Sequence, residues 1–204
     1  MADREKILRY FRSGGDEELA AKLLDLAENV QKSRKFKVSD FLDPHGLSVA
    51  EIVAANVGNI KIEVNGGFQN AERAKTAFVS EDFYGKPDFA IKCFQVEWDK
   101  RYYDLSHRDI LGAFMALGCK REILGDIIFI PEGAQFVADK AFEAYITSNL
   151  TQIGAAPISL KIIEQEELQQ KEEQVKVISA TVSALRLDAV AAAGYGVSRS
   201  RMSD

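Results

Sequence analysis

The chain has 204 residues, of which 47% are hydrophobic and 28% charged, and its formal net charge is −5. These values are ordinary for a globular protein with one or two cores, and they exclude a chain that is disordered throughout. Its longest apolar runs, such as GDIIFIP at 125–131, are far shorter than the roughly 18 residues that cross a bilayer. Because the charged N-terminus is also unlike a signal peptide, we expect a cytoplasmic protein without a membrane span.

The first predicted region, residues 1–84, is α+β and begins with two helices. Ile7 and Phe11 recur at helical spacing, and Asp16 begins a longer amphipathic stretch whose apolar side chains share one broad face. We expect these two helices to pack as a hairpin. The next residues, FKVSDFLDP at 36–44, predict a short extended piece that ends at its proline.

A third helix and two strands complete this region. Ser48 is predicted to cap the helix, with Glu51 three residues later as the other half of a capping box. Strands are predicted at 60–64 and 76–79. The paired glycines at 66–67 tolerate backbone conformations that other residues resist, and they favour a tight connection over a ligand-binding loop.

Residues 85–164 predict the element order β-α-β-β-α-β, with a turn at Glu132–Gly133 between the second and third strands. This order is the split βαβ or ferredoxin-like arrangement. RNA-recognition domains use it, as do metal chaperones, regulatory modules and enzymes, so the fold alone does not decide the function. Phe94, Trp98 and Phe129 could stack on RNA bases. They lack the usual Gly- and Phe-rich signature, however, and we expect them to pack in the core.

One cluster, Asp104 to Asp109, combines a hydroxyl, an imidazole and carboxylates. Catalytic triads are assembled from separate loops, and the sequence contains no nucleophile elbow. We expect Ser106 to cap a helix, Asp109 to lie in its first turn, and His107 to be exposed. RNA contact by His107 and Arg108 is the alternative. We therefore predict no catalytic residue and no enzyme activity.

Metal binding and disulfide formation are not indicated. Cys93 and Cys119 have no Cys-x-x-Cys spacing and are expected to be buried thiols. His45, the other histidine, lies in a predicted loop where spacing identifies no partner. We therefore expect no metal and no cofactor.

The negative charge is concentrated in one short run. Residues 164–173 carry five acidic side chains and one basic one, whereas residues 174–204 carry four basic and two acidic side chains. Because the run lacks apolar periodicity, residues 165–180 are predicted to form a solvated acidic linker or a frayed helix. This linker would separate the body of the protein from a basic tail.

The tail, residues 181–204, predicts a helix, a glycine stop and the start of a second helix. The GYG sequence at 194–196 permits the turn, and Ser198 is predicted to cap the second helix. Arg199 and Arg201 would then lie near free backbone amides, where a phosphate can bind. The Gly-x-Gly pair does not match a dinucleotide site, because a helix precedes it and the third glycine is absent.

These residues resemble the first half of the αL RNA-binding motif shared by ribosomal protein S-four, tyrosyl-tRNA synthetase tails and pseudouridine synthases. The likeness rests on Leu-Arg-Leu-Asp at 185–188, Gly194, and Ser-Arg-Ser at 198–200. Upstream, the chain resembles the YlmH family over most of its length. That resemblance is carried by His107-Arg108-Asp109, Leu111-Gly112, Gly118, Lys120-Arg121-Glu122, Gly125-Asp126, Gly66-Gly67 and Ala71-Glu72-Arg73.

The resemblance implies an N-terminal region, an RRM-like middle domain and a terminal αL module. It also implies that the protein binds the large ribosomal subunit and acts in translation quality control or the rescue of stalled ribosomes. The implied partners are ribosomal RNA, the large subunit and, as a further option, tRNA; no small-molecule substrate is expected. In the family the αL module continues into strands with a Gly-x-Val-x-Val-Asn segment, so the motif is incomplete here and RNA affinity should be weaker than in a complete module. The candidate RNA-binding residues are Arg186, Ser198, Arg199, Ser200, Arg201, His107, Arg108, Lys120 and Arg121.

Two other hypotheses stay open. The first is a protein-interaction module linked to cell division and without RNA affinity of its own; a protein complex insensitive to salt would favour it. The second is a small-molecule or catalytic domain, which would need a deep pocket around His107 and Arg121. Lys120, Arg121 and Arg108 flank one predicted helix and could form a second phosphate-contacting patch, with plain solvated surface charge as the alternative.

Overall fold

The computed structural model describes residues 4–169, 179–182 and 186–197. The chain divides into two compact units, Met1–Gln170 and Lys171–Asp204. The first unit holds two main sheets, each covered by helices on one face. Within the described ranges, no helix is long and apolar enough to cross a membrane.

The N-terminal half of the first unit is a three-stranded antiparallel sheet with three helices. Its elements, in chain order, are α1 (Arg4–Arg12), α2 (Glu17–Ser33), β1 (Phe36–Leu42), α3 (Pro44–Val57), β2 (Ile60–Asn65) and β3 (Ala74–Ser80). β3 is the central strand and pairs with both β1 and β2. The helical pair and the two strands predicted for this half are therefore present.

The helices form because each buries an apolar stripe against one face of this sheet. Leu23, Ala27 and Val30 recur every three or four residues along α2, and all three are buried in a cluster with Phe78 of β3. Phe11 of α1 joins the same cluster. Since such burial supplies most of the stability of a helix in a protein, the spacing in the sequence was enough to predict these elements.

The start of α3 differs from the prediction. Its N-cap is Asp43, whose carboxylate accepts a hydrogen bond from the backbone N–H of Gly46 at 2.8 Å, and Pro44 occupies the first helical position. Ser48 lies inside the helix and donates its hydroxyl to the Pro44 carbonyl. The capping box predicted for Ser48 and Glu51 is therefore wrong. Proline has no N–H and a fixed φ, which suits the first turn of a helix as well as the end of an extended segment.

The second half of the first unit contains a four-stranded antiparallel sheet. The elements are β4 (Ile91–Glu97), α4 (His107–Ala116), β5 (Leu124–Ile130), β6 (Gly133–Asp139), α5 (Glu143–Asn149), β7 (Gln152–Ile153), β8 (Ala156–Pro157) and β9 (Ser159–Ile163). β7 and β8 form a small hairpin of their own, and the sheet order is β5-β6-β4-β9. Apart from that hairpin, the elements follow the predicted β-α-β-β-α-β order, and the α+β fold class is confirmed.

A group of aromatic rings packs between the second sheet and its helices. Phe94 of β4 lies opposite Phe136 of β6, and the two rings are stacked with centroids 5.0 Å apart. Phe114 of α4 meets Phe136 edge-on, also at 5.0 Å. All three side chains are fully buried. Because both contacts are favoured aromatic geometries, this group fixes α4 on the sheet.

The opposite faces of the two sheets pack toward each other. Phe41 of β1 joins Cys93 of β4 and Val137 of β6 in a small apolar cluster. Beside it, Lys75 of β3 is only 3% exposed and forms an ion pair with Asp139 at the end of β6, with Nζ and Oδ2 2.5 Å apart. An unpaired ammonium group is costly to bury. The ion pair therefore joins the two sheets across their buried interface.

The segment that leads into β3 adds polar contacts between the two halves. Asp126 of β5 accepts hydrogen bonds from the backbone N–H groups of Glu72 and Arg73 at 2.7 and 3.1 Å. The Arg73 guanidinium donates to the carbonyls of Phe41 and Leu124 at 2.9 and 3.2 Å. Each half of the unit thus satisfies polar groups of the other.

The acidic run begins as a packed segment. Residues 165–167 form a 3-10 turn, and Leu168 after it is 7% exposed in the small apolar cluster. The Gln135 side chain of β6 donates to a carbonyl of this turn and accepts from the N–H of Gln169. Residues 165–167 and 169 are exposed, as expected for a solvated segment, whereas Leu168 is buried and anchors the start of the predicted linker to the first unit.

Within the second unit, the described residues include one helix, α6 (Leu187–Tyr195). The helix ends at Gly196, which has a left-handed φ of 64°, and the N–H groups of Gly196 and Val197 both donate to the Ala192 carbonyl. A left-handed residue at this position favours glycine and is a common way to end a helix. The predicted glycine stop is therefore confirmed at Gly196, whereas Gly194 lies inside the helix.

Removal of the Asp139 charge should destabilise the first unit strongly. Asp139→Asn keeps an acceptor for the backbone but leaves the Lys75 ammonium buried without its carboxylate, so we expect the free energy of unfolding to fall by about 3 kcal/mol. Urea denaturation measures this change. The double variant Lys75→Met/Asp139→Asn removes both charges and should lose much less. Equal losses in the single and double variants would show that the ion pair does not set the stability of this interface.

Candidate nucleic-acid interface

The sheet face that RNA-recognition domains use for base stacking is covered in this protein. In such domains that face carries exposed aromatic side chains. Here β4 and β6 present Cys93, Gln95, Gln135 and Val137 on it, and Gln135 is 2% exposed. Gln135 Nε2 donates to Gln95 Oε1 at 2.9 Å, and Phe41 of the N-terminal half packs over the apolar residues. The central strands therefore offer no open platform for bases.

The three aromatic candidates occupy other positions. Phe94 is buried beneath the helices. Trp98 and Phe129 meet edge-on, with centroids 6.1 Å apart, on the helix side of the sheet. Trp98 Nε1 also donates to the Tyr103 carbonyl at 3.1 Å, whereas Phe129 keeps 43% of its surface exposed. Core packing, as expected, accounts for Phe94 and Trp98, whereas Phe129 does not lie in the core.

The start of α4 has the geometry of a helix cap. The Asp109 carboxylate accepts hydrogen bonds from the Ser106 hydroxyl at 2.6 Å and from the Ser106 backbone N–H at 2.8 Å. These hydrogen bonds hold the pKa of Asp109 below its usual range, so the carboxylate is charged at the positive end of the helix dipole. His107 and Arg108 are exposed beside it. The structural role predicted for Ser106 and Asp109 is thus confirmed.

Lys120 and Arg121 follow α4 but have different surroundings. Lys120 is exposed. Arg121 is half-buried, and its Nη1 donates to the carbonyls of Leu124 and Gly125 at 2.6 and 3.1 Å. Burial, with the neighbouring Arg73 guanidinium as a smaller cause, lowers the pKa of Arg121. These contacts give Arg121 a structural role in the turn before β5, so the guanidinium is less available to a phosphate than the sequence suggests.

The predicted patch of Arg108, Lys120 and Arg121 does not converge on one point. Arg108 lies in the first turn of α4, whereas Lys120 lies beyond its end, and a helix of 10 residues is about 15 Å long. One phosphate group cannot contact both ends of such a helix. The three residues therefore do not form the single phosphate-contacting patch that the sequence suggested.

One of the candidate residues from the αL resemblance lies in the described part of the chain. Arg186 is the N-cap residue of α6, and its Nε donates to Asp188 Oδ1 at 3.1 Å. Its side chain remains 68% exposed, so the guanidinium can still accept a second anionic partner. The other candidates fall outside the described residues: Ser198, Arg199, Ser200 and Arg201.

The described residues were also compared with the requirements of a metal site, a reactive thiol and a small-molecule pocket. Within 4–169, 179–182 and 186–197, no group of three or more His, Cys, Asp or Glu side chains is placed to hold a metal ion. Cys93 and Cys119 are buried, and burial raises the pKa of both thiols, that of Cys93 to about 11. Two cavities in the first unit, of about 310 and 280 Å³, are lined by neither His107 nor Arg121.

The sequence did not reveal the polar bridge between the two halves. Arg73 and Asp126 both belong to segments that carry the family resemblance, and the structure brings these segments into contact. The two residues are 53 positions apart. No local spacing could have shown that they meet, because sequence periodicity reports only on neighbours within one element.

Three comparisons with known proteins show which family the chain belongs to and which fold it shares. Residues 15–83 match a family model described as "YlmH, N-terminal", and residues 85–167 match one described as "Putative RNA-binding domain in YlmH". Over 175 residues the chain is 33% identical to "Ribosome-associated protein quality control protein P2" of Bacillus subtilis (strain 168). The matched region covers 84% of this chain and 67% of that protein. A solved structure, "Cell division protein ylmH from Streptococcus pneumoniae", superposes with a TM-score of 0.63 at 24% identity, over 76% of this chain and 95% of that one. At that identity, the last likeness bears on the fold alone.

Neighbouring substitutions should separate the structural role of Arg121 from the surface role of Lys120. Arg121→Gln removes charged hydrogen bonds to two carbonyls, and we expect the free energy of unfolding to fall by about 1–3 kcal/mol. Lys120→Gln removes an exposed charge of the same sign and should leave stability unchanged within about 0.5 kcal/mol. Urea denaturation of both variants measures the difference. If Arg121→Gln proved as stable as Lys120→Gln, Arg121 would be a surface residue free to bind a ligand.

Proposed function

Because this chain belongs to the YlmH family, we propose that it binds ribosomal RNA, associates with the large ribosomal subunit and acts in translation quality control or the rescue of stalled ribosomes, without catalysing a reaction. The match of residues 85–167 to a family model for an RNA-binding domain carries this proposal. The name of the Bacillus subtilis relative, a ribosome-associated quality control protein, supports its ribosomal part. The protein would then work in the cytoplasm.

The geometry favours recognition of the RNA backbone by positive charges. The face of the second sheet that could stack bases is covered, with Gln135 only 2% exposed. Exposed basic groups lie instead at the two ends of α4, with His107 and Arg108 at its start and Lys120 beyond its end. Positive side chains at separate points suit an extended polyanion better than a compact ligand.

The terminal segment supplies the most specific candidate contacts. Arg186, Ser198, Arg199, Ser200 and Arg201 occupy the positions of the αL motif that resemble those of ribosomal RNA-binding proteins. Arginine contacts phosphates through paired N–H donors, and serine hydroxyls add single hydrogen bonds. The same chemistry would serve tRNA, which presents the same phosphate backbone.

Replacement of two terminal arginines should weaken ribosome binding in a salt-dependent way. Affinity falls as salt concentration rises, and we expect this fall to be less steep in Arg199→Ala/Arg201→Ala. The slope of log affinity against log salt should be smaller in magnitude by about 1.4–1.8, or roughly 0.7–0.9 for each lost phosphate contact. Binding to purified large subunits and to a structured ribosomal RNA fragment across a salt series measures this. The matched control Arg9→Ala/Arg101→Ala removes two exposed arginines from the first unit and should bind as the wild type does.

The same measurement decides between RNA binding and the protein-interaction alternative. Affinity for subunits that falls as the salt concentration rises, and that the arginine substitutions weaken, would support RNA binding. Affinity for subunits that is independent of salt, and unchanged by the arginine substitutions, would count against RNA binding. It would favour a module that recognises a protein surface.

A further inference from the structure

An unassigned cluster of positive charge lies where α2 ends and β1 begins. Within six residues the chain places four exposed cations, here called the basic corner: Lys32, Arg34, Lys35 and Lys37. Among the described residues, only Arg34 of this set reaches a carboxylate, that of Asp82 at 4.0 Å. The three lysines face solvent with no ion pair to any described residue.

The backbone holds the basic corner in a fixed arrangement. Arg34 has a left-handed φ of 53°, and its N–H donates to the Val30 carbonyl at 2.8 Å where α2 ends. The Lys35 carbonyl accepts from the N–H of Ser80 at 2.9 Å, and Lys37 lies in the ladder between β1 and β3. The charges are therefore carried by hydrogen-bonded backbone on a packed element.

The turn after β3 brings an aromatic segment to the start of β1. After β3 the chain turns back, and the N–H of Phe83 donates to the Ser80 carbonyl at 3.0 Å. The turn brings the Phe83 ring to 5.3 Å from the ring of Phe36, the first residue of β1. The next residue, Tyr84, is 99% exposed. Tyr84 therefore directly follows a residue whose ring packs against the start of β1, the strand that carries Lys37 of the basic corner, and its own side chain is open to solvent.

Stabilisation of α2 does not account for this arrangement. A positive side chain in the last turn of a helix interacts favourably with the helix dipole, which explains Lys32. That effect fades within a turn, whereas Lys35 and Lys37 lie beyond the end of the helix. The one described carboxylate within ion-pair distance, that of Asp82, offsets only one of the four positive charges. Binding of an anionic partner would relieve the remaining repulsion.

We propose that the basic corner and Tyr84 bind a single-stranded segment of RNA. The four cations contact successive phosphates and one base stacks on the tyrosine ring, a combination typical of single-strand binding surfaces. An acidic peptide would use the cations but leave the ring without a partner, so the tyrosine favours RNA. The inference rests on the RNA binding proposed above, and it adds a contact surface in the N-terminal half that the αL resemblance does not include.

Neutralisation of the basic corner should weaken single-strand binding. We expect its quadruple Gln variant to bind a short oligouridylate about tenfold more weakly at low salt, with a salt slope smaller by up to about 2.8, or ~0.7 for each lost phosphate contact. Fluorescence anisotropy across a salt series measures both quantities. A control with the same net charge, altered at exposed sites elsewhere in the first unit, should bind as the wild type does. The variant is K32Q/R34Q/K35Q/K37Q, and the control is R9Q/K22Q/R101Q/K140Q.

Substitution of Tyr84 tests the stacking contact separately. Tyr84→Ala should weaken oligouridylate binding by about five- to 150-fold, the range for loss of one stacked base. Tyr84→Phe keeps the ring and should bind as the wild type does. Tyr102→Ala removes a second tyrosine that is 76% exposed and should leave binding unchanged. Since Tyr84 lies in solvent, the thermal unfolding temperature should be the same for all of these variants.

The outcomes separate this inference from the proposed function. If the wild type binds large subunits but the basic-corner variant binds oligouridylate as tightly as its control, the inference fails and the proposed function stands. If the wild type binds neither subunits nor oligouridylate, both fail. Displacement of the oligonucleotide by polyglutamate at equal charge concentration, together with no effect of Tyr84→Ala, would overturn the RNA assignment and indicate an acidic protein partner.

Discussion

The burial of Lys75 is the constraint on which the first unit depends. β3 is the centre of the N-terminal sheet, and all seven of its residues are buried, so both of its faces must be covered. Helices cover one face. On the other face the Lys75 ammonium has lost its water, and it needs a carboxylate in return. Asp139 can supply one only if the second sheet packs against the first. The two halves therefore form one packed body, with Arg73 and Asp126 completing the polar contacts.

This packing has a direct consequence for RNA recognition. The split βαβ arrangement usually leaves one sheet face open, and that face is where RNA-recognition domains stack bases. Here it is occupied by the N-terminal half and by Leu168, and its polar positions are taken up by the hydrogen bonds of Gln135. The missing aromatic signature in β4 and β6 is therefore consistent with the fold: a covered face has no use for exposed rings. Any RNA contact of this body must come from its rim and its loops.

Sequence patterns predicted the parts of the structure that depend on neighbouring residues. The cap formed by Ser106 and Asp109 spans one helical turn, and the core stripe of α2 repeats every three or four residues, so both are visible locally. The cap of α3 was missed because a proline can end a strand or begin a helix. The role of Arg121 and the docking of Leu168 were missed for other reasons. Arg121 donates to carbonyls only three and four residues further on, and a side-chain contact to the backbone leaves no periodic pattern in the sequence. Leu168 packs against distant strands, and the sequence gives no sign that they approach it.

The proposed contacts share one physical feature, which is that each is weak alone. An exposed arginine or lysine gains little from a single phosphate, because water screens the interaction. Several such contacts on one chain act differently, since binding at one point raises the local concentration of RNA at the next. On this view the αL segment, the ends of α4 and the basic corner gain affinity by being linked rather than by any one being a deep site. A large, folded RNA can engage several of them at once, whereas a short oligonucleotide can engage only one, and this difference would favour ribosomal RNA over free RNA fragments.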